Sequence, residues 1–391
     1  MTKMISLFDL EISDKKVLIR QDLNVPIKDG YIESEARIKA CLPTIEYAVS
    51  KKAKVILMSH LGRPREGVPI ESQRQFSLSP IAIRLAEMTS LKVRLEPNYL
   101  NGCEFINEDI LLLENVRVNS GEKANDQKLS RKLAALCDIF VMDAFATSHR
   151  AHASTQGVAK YSPVVCAGPL LLKELRALDK VFSSPQRPVL AIVGGSKVST
   201  KLQILTCLSR KVDLIIVGGG IANTFLAAAG KNIGKSLYEP GMIDVAKEIM
   251  DCGRIVLPTD AVVSSEIDEA AAWSVKKVDE VSSSDHILDI GPISISKNRN
   301  LILDAETIIW NGPLGVFEIP QFSAGTRALG KSIKESKAFS VAGGGDTISA
   351  IESSGGRDGI SYISTGGGAF LEFLEGKTLP GVAALMADNA Y

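Results

Sequence analysis

Along this chain, short unbroken apolar runs alternate with stretches in which apolar residues return every three or four positions. In the first half, KVLIRQDLN (16–24), KVILMSHLG (54–62), DILLLENVR (109–117) and DIFVMDAF (138–145) read as strands. In the second half PVLAIVGG (188–195), VDLIIVGG (212–219), RIVLP (254–258), TIIWNG (307–312), AFSVAGG (338–344) and SYISTGG (361–367) do the same. ARIKACLPTIEYAVSKKA (36–53) and SLSPIAIRLAEM (77–88) carry helical spacing, the latter with Ser or Pro placed for a first turn. Strands without polar alternation are buried on both faces. The pattern therefore predicts an α/β chain with two mostly parallel sheets covered by helices. CAGPLLLKELRALDKVF (166–182) reads as a helix and SSPQRP after it as a linker, so a domain boundary falls near residues 165–188.

Length agrees, since 391 residues suit two domains at roughly 100–200 residues each. Lys+Arg and Asp+Glu tie at 45 each, so no global field draws the chain to nucleic acid or a membrane. Any anion site must come from local clustering. The six cysteines (41, 103, 137, 166, 207 and 252) have neither C-x-x-C nor zinc spacing, and most lie in apolar stretches. Buried free thiols and a reducing cytoplasm are expected. The stretch MTKMISLFDLEISDKK has acids where a signal peptide needs an apolar core. No apolar run reaches the roughly 18 residues of a membrane span.

Ligands of open α/β sheets bind beyond the carboxyl ends of the strands. In the first half those ends carry Asp22 and Asn24, His60 and Arg63, Arg117, then His149 and Arg150, with Arg37 near the start of the first helix. Such a recurrent cationic and polar set at one sheet edge suits phosphate and carboxylate. The second half ends its strands in glycine: 194–195, 218–220, Gly312, 343–345 and 366–368. Glycine lets backbone amides approach phosphate closely, so several such turns predict a nucleotide cradle. Lys197 and Lys201 are expected on one helical face, four apart. Asp346 reads equally as a magnesium-side carboxylate or as a plain N-cap. GTRALGKS (325–332) matches the P-loop pattern, but no strand leads into it; it is read as part of a helix capped by Ser323, with Leu329 and Ile333 on one face.

RQDLNVP (20–26), SHLGRP (59–64), LLLENVR (111–117), DAFATSHRAHAS (143–154), VGGSKVSTK (193–201), WNGPLGVFE (310–318), AGGGDT (342–347) and STGGGAF (364–370) together resemble, in order, the motifs of the phosphoglycerate kinase family. The resemblance spans nearly the whole chain. It implies two Rossmann-like domains joined by a hinge helix: residues 1–168 for phosphoglycerate, 169–187 as hinge and linker, and 188–370 for nucleotide. Residues 371–391 would return to the first domain. It implies that Asp22, Leu23, Asn24, Arg37, His60, Leu61, Gly62, Arg63, Arg117, His149 and Arg150 bind the acid, with His149 part of the basic patch. Lys197, Lys201, Gly219, Asn311, Glu318, Gly344, Gly345, Asp346 and Thr347 would bind nucleotide, and Asp346 the Mg²⁺. Arg37, Lys197 and Lys201 would be catalytic. The implied reaction is 1,3-bisphosphoglycerate plus ADP giving 3-phosphoglycerate plus ATP, by direct in-line transfer after domain closure, in a cytoplasmic monomer without nucleic-acid or membrane partners. Ala146 stands where the family has glycine; Ser196 and Thr200 replace Ala and Asp, and AGPLL replaces AGFLM. Two rival readings are a dinucleotide-dependent oxidoreductase, against which this chain has no G-x-G-x-x-G after its first strand, and a non-catalytic nucleotide-binding protein.

Overall fold

A computed structural model describes residues 4–353 and 357–386. The chain divides into two compact units, Met1–Leu175 with Thr378–Tyr391, and Arg176–Lys377. In the first unit, β1 (Lys16–Arg20), β2 (Lys54–Met58), β3 (Val93–Glu96), β4 (Ile110–Leu113), β5 (Ile139–Met142) and β6 (Val164–Ala167) form one sheet in the order β3-β4-β2-β1-β5-β6. Every pairing is parallel, and Val17 lies beside both Val55 and Ile139. Val17, Ile19, Val55, Leu57, Ile110, Leu112 and Val141 lie in one buried cluster with Ile38, Cys41, Ile45 and Ala48 of the helix Ala36–Ser50. Burying a Leu or Ile side chain contributes roughly 1.5–3 kcal/mol, so this cluster is what holds the strand ends in place. Pro43 lies inside that helix without ending it.

In the second unit, β7 (Val189–Val193), β8 (Leu214–Val217), β9 (Ile255–Val256), β10 (Thr307–Asn311), β11 (Phe339–Gly343) and β12 (Tyr362–Ser364) run parallel in the order β9-β8-β7-β10-β11-β12. An antiparallel sheet of Asp260–Ser264, Trp273–Lys277 and His286–Ile290 accompanies it. Sequence patterning gave no sign of this sheet, nor of the edge strands β3 and β6. Residues of β3 are half-buried, and Trp273–Lys277 is mostly exposed, so neither shows an unbroken apolar run.

Each sheet has one point where the connections turn in opposite directions, between β1 and β5 and between β7 and β10. A crevice opens at such a point, beyond the carboxyl ends of the strands. The helix Pro169–Phe182 begins in the first unit and ends in the second. After Lys377 the chain rejoins the first unit, where Pro380–Met386 is helical and the Gly381 amide donates to the Ser148 carbonyl at 2.8 Å. Residues 387–391 of the predicted returning segment lie outside the described residues. Of the six cysteines, four are buried, as expected for most of them; Cys207 is half-buried and Cys252 exposed. Among the described residues no helix is long and apolar enough to cross a membrane.

Candidate active site

The ends of β1 and β2 are laced together before any side chain enters the crevice. The Gln21 amide donates to the Met58 carbonyl at 3.0 Å, and the Ser59 hydroxyl bridges the Leu23 amide and the Gln21 carbonyl, each at 2.9 Å. Asp22 is thereby fixed, and its carboxylate meets Arg37 at 3.0 Å. Arg37 also donates to the Asn24 carbonyl at 2.8 Å, while Asn24 Oδ1 accepts from the Gly62 amide at 2.8 Å. The Gly62 carbonyl accepts from Arg117 at 2.9 Å. Buried Asn115 ties this turn down, donating to the carbonyls of Leu61 and Phe76 at 2.8 Å each. Asp22, Leu23, Asn24, Arg37, Leu61, Gly62 and Arg117 thus form one connected set. Arg63 is exposed beside it. His149 and Arg150 follow β5, half-buried, with Arg150 Nε 3.3 Å from His149 Nε2.

Electrostatics show what this arrangement lacks. Burial, then the charges of Arg150 and Arg20, pull Arg117 down to about 10, and its Nε is buried without a hydrogen-bond partner among the described residues. Burial and then Arg20, Arg117, Arg150 and Arg37 hold His60 well below the usual histidine range. His149 is pulled to about 4 by burial and Arg150, and His152 to about 4 by burial and Arg117. His149, placed in the basic patch by the resemblance, is therefore neutral near pH 7, and so is His60; crowded arginines make a further cation costly. His152 stands 3.8 Å from Glu122, but an imidazole held neutral makes no ion pair there. An arriving anion would relieve the repulsion among the arginines.

Sequence reasoning missed the layer beneath. Arg20, 2% exposed at the end of β1, contacts His60, and Ser154 joins it to fully buried Glu122. An arginine closing an apolar strand was the available signal for Arg20; nothing in the local pattern marks Glu122.

In the second unit, β7 and β10 end against each other. A Cβ at Gly194 would overlap the Pro313 carbonyl, so only glycine permits that approach. Lys197 and Lys201 do not share a helical face. The helix starts at Leu202, because Glu239 captures the amide of Ser199 at 2.7 Å and its hydroxyl at 2.5 Å, while Val198 is fully buried, holding residues 196–201 as a turn. Lys197 is exposed there. Lys201 turns inward to hydrogen-bond Asn311 Oδ1, and Asn311 Nδ2 donates to the Gly343 carbonyl at 2.6 Å. Gly344 has φ +103°, and a side chain there would press on Asn311 Nδ2. Thr347 accepts from the Gly312 amide at 2.8 Å and donates to the Gly343 carbonyl at 2.9 Å. These contacts gather Lys201, Asn311, Gly344 and Thr347 at the crevice.

A cavity of about 340 Å³ opens beside them, lined by Gly195, Ser196, Gly219, Gly220, Glu318 and Asp346 among others. Asn223, Leu237 and residues 286–288 also line it; the last three come from the antiparallel sheet that sequence patterning did not reveal. Asp346 is exposed and is the second residue of the helix Gly345–Ser353, not its N-cap. GTRALGKS lies within the helix Ala324–Glu335, with Leu329 and Ile333 buried. Ser323 sits at the cap position, but its side chain makes no cap; Asp289 accepts from the Gly325 amide at 2.7 Å instead.

The family model described as phosphoglycerate kinase matches residues 7–377. The chain is similar to the phosphoglycerate kinase of Coxiella burnetii, at 48% identity and TM-score 0.95, covering 98% of this chain and 99% of that one. It is also similar to the phosphoglycerate kinase of Pyrococcus horikoshii OT3, at 33% identity and TM-score 0.80, covering 98% of each chain.

Proposed function

The chain belongs to the phosphoglycerate kinase family, and from that premise we propose that the arginine-rich crevice of the first unit takes the acid and the glycine-lined crevice of the second takes the nucleotide. The reaction is the reversible transfer of the acyl phosphate of 1,3-bisphosphoglycerate to ADP, giving 3-phosphoglycerate and ATP. The observation that carries the division is the crowding of Arg20, Arg37, Arg117 and Arg150 around the end of β1, which an anionic acid would relieve.

The nucleophile is a phosphate oxygen in one direction and a carboxylate in the other, both ionised near neutral pH. No general base is needed, and histidines held neutral by burial suit a site whose work is alignment and charge neutralisation. Arg37, anchored by Asp22, and exposed Lys197 face the transferring group in this reading; Lys201 and the glycine-turn amides hold the nucleotide phosphates. Glu318 at the cavity rim meets the ribose. Asp346 supplies the protein's carboxylate to Mg²⁺, which when bound neutralises phosphate charge. Among the described residues no group of three or more His, Cys, Asp or Glu side chains could hold a metal ion. Direct in-line transfer after domain closure, in a cytoplasmic monomer, completes the proposal. Small-angle scattering with and without both substrates tests the closure.

A coupled assay with 3-phosphoglycerate and Mg-ATP tests the activity. Arg37→Ala is expected to cost about 2–5 kcal/mol of transition-state stabilisation, read from kcat/KM. Wild-type kinetics in that variant would remove Arg37 from the site.

A further inference from the structure

We infer that Arg20 is a positioning residue that fixes His60 as its Nε2–H tautomer, so that His60 meets the acid substrate as a neutral hydrogen-bond donor and not as a charge. The inference deepens the acid-site reading above and rests on it.

The argument starts from donor counting. Arg20 Nη2 lies 3.1 Å from His60 Nδ1. A guanidinium has only donors, so the contact is a hydrogen bond only if Nδ1 offers its lone pair. An imidazolium, or the Nδ1–H tautomer, would set N–H against N–H at that distance. The ring's proton therefore sits on Nε2, the one nitrogen left to meet a ligand.

Arg20 cannot easily turn away from this contact. It is 2% exposed, and each of its nitrogens has a partner. Nη1 donates to the Gln21 carbonyl, and Nε donates to Ser154 Oγ at 3.3 Å. Ser154 Oγ in turn donates to Glu122 Oε1 at 2.5 Å, and the Ser154 amide donates to Oε2 at 3.0 Å. A buried cation needs a nearby anion, and Glu122 and Asp22 supply it for Arg20. On the His60 side the charged groups are Arg20, Arg117, Arg150 and Arg37, and all four oppose a ring proton beyond the first. A neutral Nε2–H recognises a substrate oxygen without adding a fifth cation to the crowd, and its donor capacity does not change across the working pH range.

The test is ¹⁵N–¹H correlation spectroscopy of the full-length enzyme labelled at the histidine ring nitrogens. The chain has four histidines, and His60→Gln identifies the His60 signals by their loss. The expected wild-type pattern is protonated Nε2 and bare Nδ1, unchanged from about pH 5.5 to about pH 8.5. Adding 3-phosphoglycerate should shift the Nε2 signal and keep the tautomer. In Arg20→Leu, His60 should become a tautomer mixture that titrates nearer the ordinary histidine value. The KM for 3-phosphoglycerate should rise roughly tenfold while that for Mg-ATP stays within about twofold. Should the leucine variant fail to fold by circular dichroism, Ser154→Ala, which unties Arg20 Nε, should give the same change of tautomer to a smaller extent. A wild-type His60 that is charged, or protonated at Nδ1, near neutral pH would overturn the inference while leaving the acid site standing. A wild-type tautomer that persists unchanged in a folded Arg20→Leu enzyme would overturn Arg20's role. Signals unmoved by 3-phosphoglycerate would overturn the acid-site reading of His60 itself, and this inference with it.

Discussion

At Lys201, burial and charge pull in opposite directions. Burial lowers the ammonium to about 8, while Asp346 and Glu375 pull it back up. Its Nζ is committed to Asn311 Oδ1, a neutral acceptor that does not restore the cost of desolvation. A nucleotide phosphate arriving nearby supplies negative charge and raises the affinity of Lys201 for its proton. Binding of Mg-ADP should therefore take up a proton between about pH 8 and the ordinary lysine value of about 10.4, and none well below pH 8. Calorimetry near pH 9 in two buffers of different ionisation enthalpy reads this uptake directly. Lys201→Met should abolish it and weaken binding roughly tenfold or more, as expected for a hydrogen bond to a charged group. Equal heats in both buffers for the wild type would mean that Lys201 does not meet the phosphates.

Among the elements, legibility followed burial. Central strand β7 is apolar throughout and β1 is apolar between Lys16 and Arg20, as suits strands covered on both faces, and the residues just past them were read as strand-end candidates from the sequence alone. Half-buried β3, mostly exposed Trp273–Lys277 and His286–Ile290, whose first two residues are half-buried, lack that signature, and the cavity wall at residues 286–288 stayed hidden. The start of the helix at Leu202 was also illegible, since Glu239, 40 residues from Ser199, decides it. Periodicity did separate the P-loop decoy from a helix: Lys331 is exposed, 4.0 Å from Glu335 one turn on. Lys331→Ala should leave the nucleotide Kd within about twofold, as most surface substitutions do; a tenfold loss would revive the P-loop. Ala146 lies in the short 3₁₀ turn Phe145–Thr147 and is not among the residues with positive φ. The conformation is one that alanine adopts freely. Ala146→Gly should then lower stability by about 0.4–1 kcal/mol in urea unfolding, through the entropy of the unfolded chain, and leave the phosphoglycerate KM within about threefold. A stabilised glycine variant would show strain in that turn.

Across the whole molecule, one buried carboxylate links the crevice of the first unit to the helix that passes from the first unit into the second. Asp143 is fully buried at the end of β5. Its Oδ1 accepts from the amides of Leu170 and Leu171 at 2.8 and 3.0 Å, in the first turn of the helix Pro169–Phe182. Its Oδ2 accepts from Thr44 at 2.5 Å and from Gln21, the neighbour of Asp22, at 3.1 Å. Burial outweighs these four donors and raises Asp143 to about 6. The folded protein therefore holds a proton that the unfolded chain has released above its ordinary value of about 3.9. Stability from this group is fully present below about pH 4, is lost as pH rises to about 6, and does not return above it. Asparagine keeps an acceptor for the two helix amides. Its NH₂ group would face Gln21, whose Oε1 is buried without a partner among the described residues and can accept once the Gln21 amide turns over. Asp143→Ala strands all four donors and should cost about 2–4 kcal/mol, with a raised phosphoglycerate KM as Asp22 loses its neighbour's anchor. Asp143→Asn should stay within about 1 kcal/mol of wild type near pH 7 and trail it more at pH 4, where the protonated acid both accepts and donates. Urea unfolding of the three proteins from about pH 4 to about pH 7 measures the gap. A wild-type advantage over Asn that widens as pH rises would mean that the four donors outweigh burial, and that the molecule relies on an ionised Asp143 to hold the start of its connecting helix.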